Sequence, residues 1–116
     1  MRSFIVLLII YSANFAAELN FRIIPDTIYV GTLTTIKISV TDLQDSEFPI
    51  FHDIIEQSDM YSVVERILNN NSADYTLQFW ESGLISIPSI PVDIKRNKQN
   101  VTQLNTDIIT ISVLSN

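Results

Sequence analysis

The densest group of reactive side chains lies between residues 52 and 56, where His52, Asp53 and Glu56 (HDIIE) set one imidazole beside two carboxylates. On a single helical turn these three would meet as a metal-binding or acid/base group. His52 is the only histidine, however, and cysteine is absent. A transition-metal site would therefore lack ligands, and thiolate chemistry is excluded. No G-x-S-x-G elbow occurs, and any Ser-His-Asp triad would have to recruit His52. The stretch reads as a solvated loop. No catalytic, metal-binding or cofactor-binding residue is assigned, and the chain is not expected to be an enzyme.

Two other polar groups carry weaker signals. Asp42, Asp45 and Glu47 (DLQDSE) supply loop carboxylates of the kind that hold calcium, but their spacing does not fit a calcium loop with a central glycine. Asn70 and Asn100 each begin an N-x-S/T sequon (NNS and NVT), and both fall in predicted turns, where asparagine is favoured anyway.

The elements that must position these groups are strands, because the hydrophobic period is two. From Ile36 to Val40 the apolar residues alternate with Lys37 and Ser39; Tyr75, Leu77 and Phe79 alternate with Thr76 and Gln78; Ile109, Ile111 and Val113 alternate with Thr110 and Ser112. Each segment has one buried and one wet face, as half-buried antiparallel strands do. Turn signals recur at Pro25-Asp26, Gly31, Asp42 to Ser46, Asn69 to Asp74, Ser82-Gly83 and Lys95 to Asn100. Between them lie candidate strands at 19–24, 27–30, 33–41, 48–51, 60–68, 74–81, 84–94 and 105–114. Phe51, Ile54 and Ile55 would also suit one helical turn across the top of the fold. Seven or eight short strands at this spacing predict an all-β, immunoglobulin-like antiparallel sandwich.

Four residues are read as structural. Gly31 sits where a strand must reverse. Gly83 sits where a hairpin joining 74–81 to 84–94 needs a positive φ, which glycine adopts cheaply. Pro88 and Pro91 cannot donate ladder bonds, so 84–94 is expected to be an edge strand guarded against stray pairing, or a strand broken into two pieces that switch sheets. Trp80 breaks the inward set of Tyr75, Leu77 and Phe79. Alternation sends it to the opposite face, where it would be a partner-binding anchor if exposed, or a shield if that face or Gly83 is covered.

The N-terminus has the three-part pattern of a secretory leader. Met1 and Arg2 give a positive start, Phe4 to Ile10 (FIVLLII) an apolar run, and Ser12, Ala13, Ala16 and Ala17 small residues near a cleavage point. Residues 1–17 are read as a signal peptide and 18–116 as one domain, with no membrane span once the leader is removed. Of the 116 residues, 47% are hydrophobic and 17% charged, a balance that buries a core. The net charge of −6 repels phosphate backbones, so nucleic acid is not an expected partner. Without cysteine the domain must stand on its core alone, which fits a bacterial envelope protein better than a eukaryotic secreted one.

The segments IYVGTLTTIKISV, YTLQFWESGLISIPSIPVDIK and TDIITISV together resemble the repeated immunoglobulin-like domain of the BatD proteins of bacterial envelopes. The residues that carry the resemblance are Gly31, then Tyr75, Gly83, Ile87, Pro88, Ile90 and Val92, then Ile109, Ile111 and Val113. BatD proteins resemble several such domains in tandem followed by a membrane helix, a pattern this chain does not repeat. The resemblance implies a non-catalytic interaction or scaffold domain in the periplasm or envelope. It also implies a protein partner and a setting near a chaperone-like ATPase and von Willebrand-type membrane proteins, in a system tied to stress and oxygen tolerance. The alternative is an extracellular adhesion-type module that binds carbohydrate or a host protein.

Overall fold

The structure is a computed structural model and describes residues 17–54 and 58–115. The leader reading over residues 1–16, together with Ile55 and Glu56, lies outside the described residues. Ten strands and no helix are found among the described residues: β1 (Glu18–Ile24), β2 (Ile28–Tyr29), β3 (Leu33–Thr41), β4 (Glu47–Phe51), β5 (Tyr61–Leu68), β6 (Ser72–Phe79), β7 (Gly83–Ile87), β8 (Pro91–Arg96), β9 (Gln99–Asn105) and β10 (Ile109–Leu114).

The first layer is a four-stranded antiparallel sheet in the order β1-β3-β6-β5. Its centre follows from the alternating sequence. Ile36, Ile38 and Val40 of β3 and Tyr75, Leu77 and Phe79 of β6 are buried, while Thr35, Lys37 and Ser39 face outward. Facing residues of an antiparallel pair share a side, and Ile36 stands opposite Tyr75.

The second layer consists of two three-stranded ladders, β2-β10-β7 and β4-β8-β9. They are two halves of one sheet. Ile87 faces Ile109, and four residues further on Pro91 faces Asn105, so the register continues across the gap. Ile28, Ile85, Ile87, Ile111 and Val113 from one half, and Phe51, Val92 and Ile94 from the other, enter the same core as the first layer's inward residues. Each fully buried Ile, Leu or Val contributes about 1.5–3 kcal/mol by leaving water.

Counted by position, the first layer has the A-B-E-D order and the second the C-F-G order of an immunoglobulin-like sandwich. Strand F is broken into β7 and β8 and strand G into β9 and β10. Strand A crosses from the first layer to the second at the cis Ile24–Pro25 bond, and β2 then runs parallel to β10. The expected fold class is borne out. The count of ten, against the seven or eight expected, arises from those breaks.

Several sequence expectations are corrected. Residues 74–81 and 84–94 do not form a hairpin: β6 pairs with β3 and β5, whereas β7 pairs with β10 in the other layer. Gly83, at φ +111°, turns the chain across the sandwich rather than back along its own sheet. Gly31 has φ +87°, and its N–H donates to Phe79 O at 2.8 Å. Segment 84–94 is an edge only in its first half, because β8 is flanked by β4 and β9. Pro88 and Pro91 therefore do not cap an edge. They bracket the break in strand F. Residues 99–105, read partly as a turn, form β9, which includes Asn100; the turn itself is Asn97-Lys98, both at positive φ. Residues 52–54 form no helical turn.

Candidate functional site

The break in strand F determines what surrounds His52. His52 N–H donates to Pro91 O at 3.2 Å. A hydrogen-bonded antiparallel pair exchanges both bonds, so residue 91 should return an N–H to His52 O. Proline has none. His52 O instead accepts from the hydroxyl of Tyr75, which reaches it from the first layer. The same alternation puts Pro49, which faces Ile94, in a non-hydrogen-bonded position with its nitrogen toward the free edge of β4. There proline costs no bond and blocks edge pairing.

Four other side chains complete this corner. Arg66 of β5 donates to Phe51 O at 3.0 Å and pairs with Asp53 Oδ1 at 3.0 Å, tying the edge strands of the two layers together. His52 Nε2 lies 2.7 Å from Asp93 Oδ2, and Gln103 Nε2 donates to Asp93 Oδ1 at 2.7 Å. The outer face of β4, β8 and β9 thus carries a closed His52–Asp93–Gln103 row. The Gln103 amide and then His52 hold the Asp93 carboxyl below its usual range, with Lys95 adding to the effect. Burial pushes the Tyr75 hydroxyl up to about 12, against the opposing pull of Arg66, and the Asp53 carboxylate adds to the rise.

A His–carboxylate pair is the orienting half of an acid/base device. No hydroxyl or thiol is hydrogen-bonded to the His52 ring among the described residues. His52 and Asp53, adjacent in sequence, point to different partners. Glu47 bonds Gln44 N and Arg96, at 2.7 and 3.0 Å, so its carboxylate is turned toward Arg96. No cluster of three or more His, Cys, Asp or Glu side chains that could hold a metal occurs among the described residues. Asn70 lies in the turn between β5 and β6.

Arg66, Asp93 and Gln103 were not singled out by sequence, and Tyr75 was read as an inward residue of its strand, not as a hydrogen-bond donor. The local trace of Arg66 and Asp93 is a charged position inside the strands YSVVERIL and PVDIKR, which by itself reads as solvent-facing. The His52–Asp93 contact spans 41 residues and has no sequence signal.

Trp80 follows the inward set of β6 onto the outer side of the first layer and is 49% exposed. Its Nε1–H donates to Ser62 Oγ at 2.9 Å and its N–H to Met60 O at 2.8 Å, so the indole leans over β5 and not over Gly83. Exposed large apolar residues mark both outer faces: Leu33 near Trp80 on the first, and Phe48, Ile50 and Val101 around the His52–Asp93–Gln103 row on the second. A hollow of about 230 Å³ between the Ile23–Ile28 turn and β10 is smaller than the usual small-molecule site.

No protein-family model and no curated protein matches this chain. Among solved structures it is similar to FdeC, a broadly conserved Escherichia coli adhesin. The identity is 17% and the TM-score 0.41, over 84% of this chain and 31% of that one. The chain thus spans less than a third of that structure's length, and the sandwich assignment rests on strand order and the shared core.

Proposed function

We propose that this chain is an exported, non-catalytic protein-binding module of the bacterial envelope. The observation that supports it is the apolar character of both outer faces. Phe48, Ile50 and Val101 on one, and Trp80 and Leu33 on the other, are exposed on a domain whose core is already filled by other residues. Exposed aromatic and aliphatic residues in contiguous patches mark surfaces that associate. On the second layer's outer face His52, Asp93 and Gln103 bond one another, so a partner that covers this row leaves the Asp93 carboxylate paired. The leader pattern supports export, and the resemblance to BatD domains supports the envelope as the place of action.

The test is to express the chain with its leader in a Gram-negative host and recover it from the periplasm. Wild type, Ile50→Asp and Trp80→Ala are then compared for binding to purified von Willebrand-type membrane partners and to glycan and host-matrix arrays. Binding to the membrane partners, weakened at least about tenfold by at least one of the two substitutions at unchanged thermal midpoint, is the expected result. Binding confined to the glycan or matrix arrays would replace the scaffold reading with the adhesion-type one. Turnover of any substrate that depends on His52 would overturn both.

A further inference from the structure

One end of the sandwich differs from the rest of the surface in both polarity and charge. There the end of β6, the loop before β3, the segment before β5 and the end of β10 meet. Trp80 N–H bonds Met60 O, Gly31 N–H bonds Phe79 O, and Val30 N–H bonds Leu114 O. Tyr29 lies beside Leu114, and Gly83 faces Val113, which brings Leu84 alongside. Trp80, Met60 and Leu33 are exposed toward the first layer's side of this end, and Tyr29, Leu84 and Leu114 toward the second's; Leu84 is 77% exposed. Stacked sheets lie about 10 Å apart, and the two rows point outward from opposite layers. A partner segment that wraps over this end, and not one laid flat on either face, would therefore touch both rows.

The charges at this end are of one sign. Asp26, Asp59 and Glu81 lie in its loops, and residues 25–32, 58–60, 80–82 and 112–115 contain no lysine or arginine. The opposite end is mixed, with Lys95, Arg96 and Lys98 near Asp42, Asp45 and Glu47. A second copy docking end to end would set acid against acid, which is unfavourable, and nucleic acid and anionic lipid are repelled for the same reason. Trp80 is already held by its bond to Ser62, so its indole loses little freedom on binding.

We propose that the Trp80 end is the docking surface of this module, and that it receives a protein segment with an apolar centre and a lysine- or arginine-rich rim. The proposal rests on the reading of the chain as a protein-binding module and adds where it binds and what the partner looks like.

The chain has no cysteine, so single variants Leu33→Cys, Leu84→Cys and, far along the second layer's outer face from this end, Ile50→Cys can each carry one benzophenone-maleimide probe. The labelled domains, checked for unchanged melts, are irradiated in envelope extract of the source cell, and cross-linked segments are identified by mass spectrometry. The expected result is one shared adduct from Leu33 and Leu84 and none from Ile50. The captured segment should be apolar and flanked by lysine or arginine, and Asp59→Lys with Glu81→Lys should cut its yield at least about tenfold. A self-adduct, an acidic segment, or a yield that ignores the charge reversal would overturn the proposal. An adduct from Ile50 alone would overturn it while leaving the binding-module reading intact. No adduct from any of the three would remove both.

Discussion

The two halves of the second layer are built from the same two broken strands but are held in different ways. The β7–β10 half is a regular ladder, with five successive residue pairs from Gly83–Val113 to Ile87–Ile109. In the β4–β8–β9 half, backbone groups repeatedly bond to side chains. His52 O takes the Tyr75 hydroxyl in place of the N–H that Pro91 lacks. Ile90 N–H donates at 2.8 Å to the Thr106 hydroxyl, while Thr106 N–H donates to Ile90 O at 3.2 Å. Arg66 caps Phe51 O from the other layer. A buried carbonyl or N–H must be satisfied. Where proline removes a donor, the fold recruits a side chain, and stability becomes concentrated in a few polar groups.

The largest expected break in this comparison is at Tyr75. Tyr75→Phe leaves His52 O without its donor and should cost about 1–3 kcal/mol, whereas Thr110→Val on the exposed side of β10 should stay within about 0.5 kcal/mol. Adding Pro91→Ala to Tyr75→Phe restores an N–H at position 91 and should recover a good part of the loss. Strictly additive urea midpoints in that double-mutant cycle would refute the substitution of one donor by the other. The hydroxyl also titrates late. Its folded pKa is raised to about 12, so its contribution is complete below the ordinary phenol range near pH 10 and is lost as pH rises toward 12. That loss should reach about 2–3 kcal/mol. Wild type should therefore lose more stability than Tyr75→Phe between those pH values.

Gly83 probes the regular half. A Cβ added there would meet nothing within 4 Å, so the cost of Gly83→Val arises from φ +111° alone. A loss of about 1–3 kcal/mol is expected, with Ser82→Ala close to neutral in the same urea melts. An unchanged midpoint for Gly83→Val would mean that the crossing between layers does not need that conformation.

Thr106→Val removes the acceptor for Ile90 N–H inside a buried site and should cost about 1–2 kcal/mol. Thr106→Ser, which keeps the hydroxyl, should cost less. A reversed order would show that the methyl group, and not the bond, holds the break in strand F.

The smallest effect is at Asp93. Its folded pKa is depressed by Gln103 and His52, so the stabilisation is present above the ordinary carboxylate range and is lost as pH falls through the folded value, below about pH 4. Gln103→Leu should flatten the stability profile in that acid window. A profile that does not respond to the substitution would show that the row on the outer face contributes nothing to the fold.

Legibility in the sequence followed how local each signal was. The strands over Leu33–Thr41, Ser72–Phe79 and Ile109–Leu114 could be read because alternation is a property of neighbouring residues. β9 (QNVTQLN) could not, since its only apolar residues, Val101 and Leu104, are three apart and make no alternating set, and it is held chiefly by pairing with β8. The positive φ at Gly83 was legible, but a turn signal does not say whether the next strand returns to the same sheet or crosses to the other. His52 was visible as chemistry, whereas its partners Asp93 and Gln103 lie on strands far along the chain, and Glu56 lies outside the described residues. The outward phase of Trp80 follows from alternation, but its lean toward Ser62 depends on β5 lying beside β6.

The amino-acid sequence by itself determined the class of fold, the positions of most strands and the inward set of each, because period and turn chemistry are written residue by residue. The tertiary structure alone decided which strands pair and that β6 and β7 part into different layers. It alone also decided that Tyr75 and Thr106 fill the places left by a proline-broken strand and that Arg66 caps the free edge of β4. Those outcomes depend on groups distant in sequence meeting where no water can satisfy them, and only the packed sandwich brings them there.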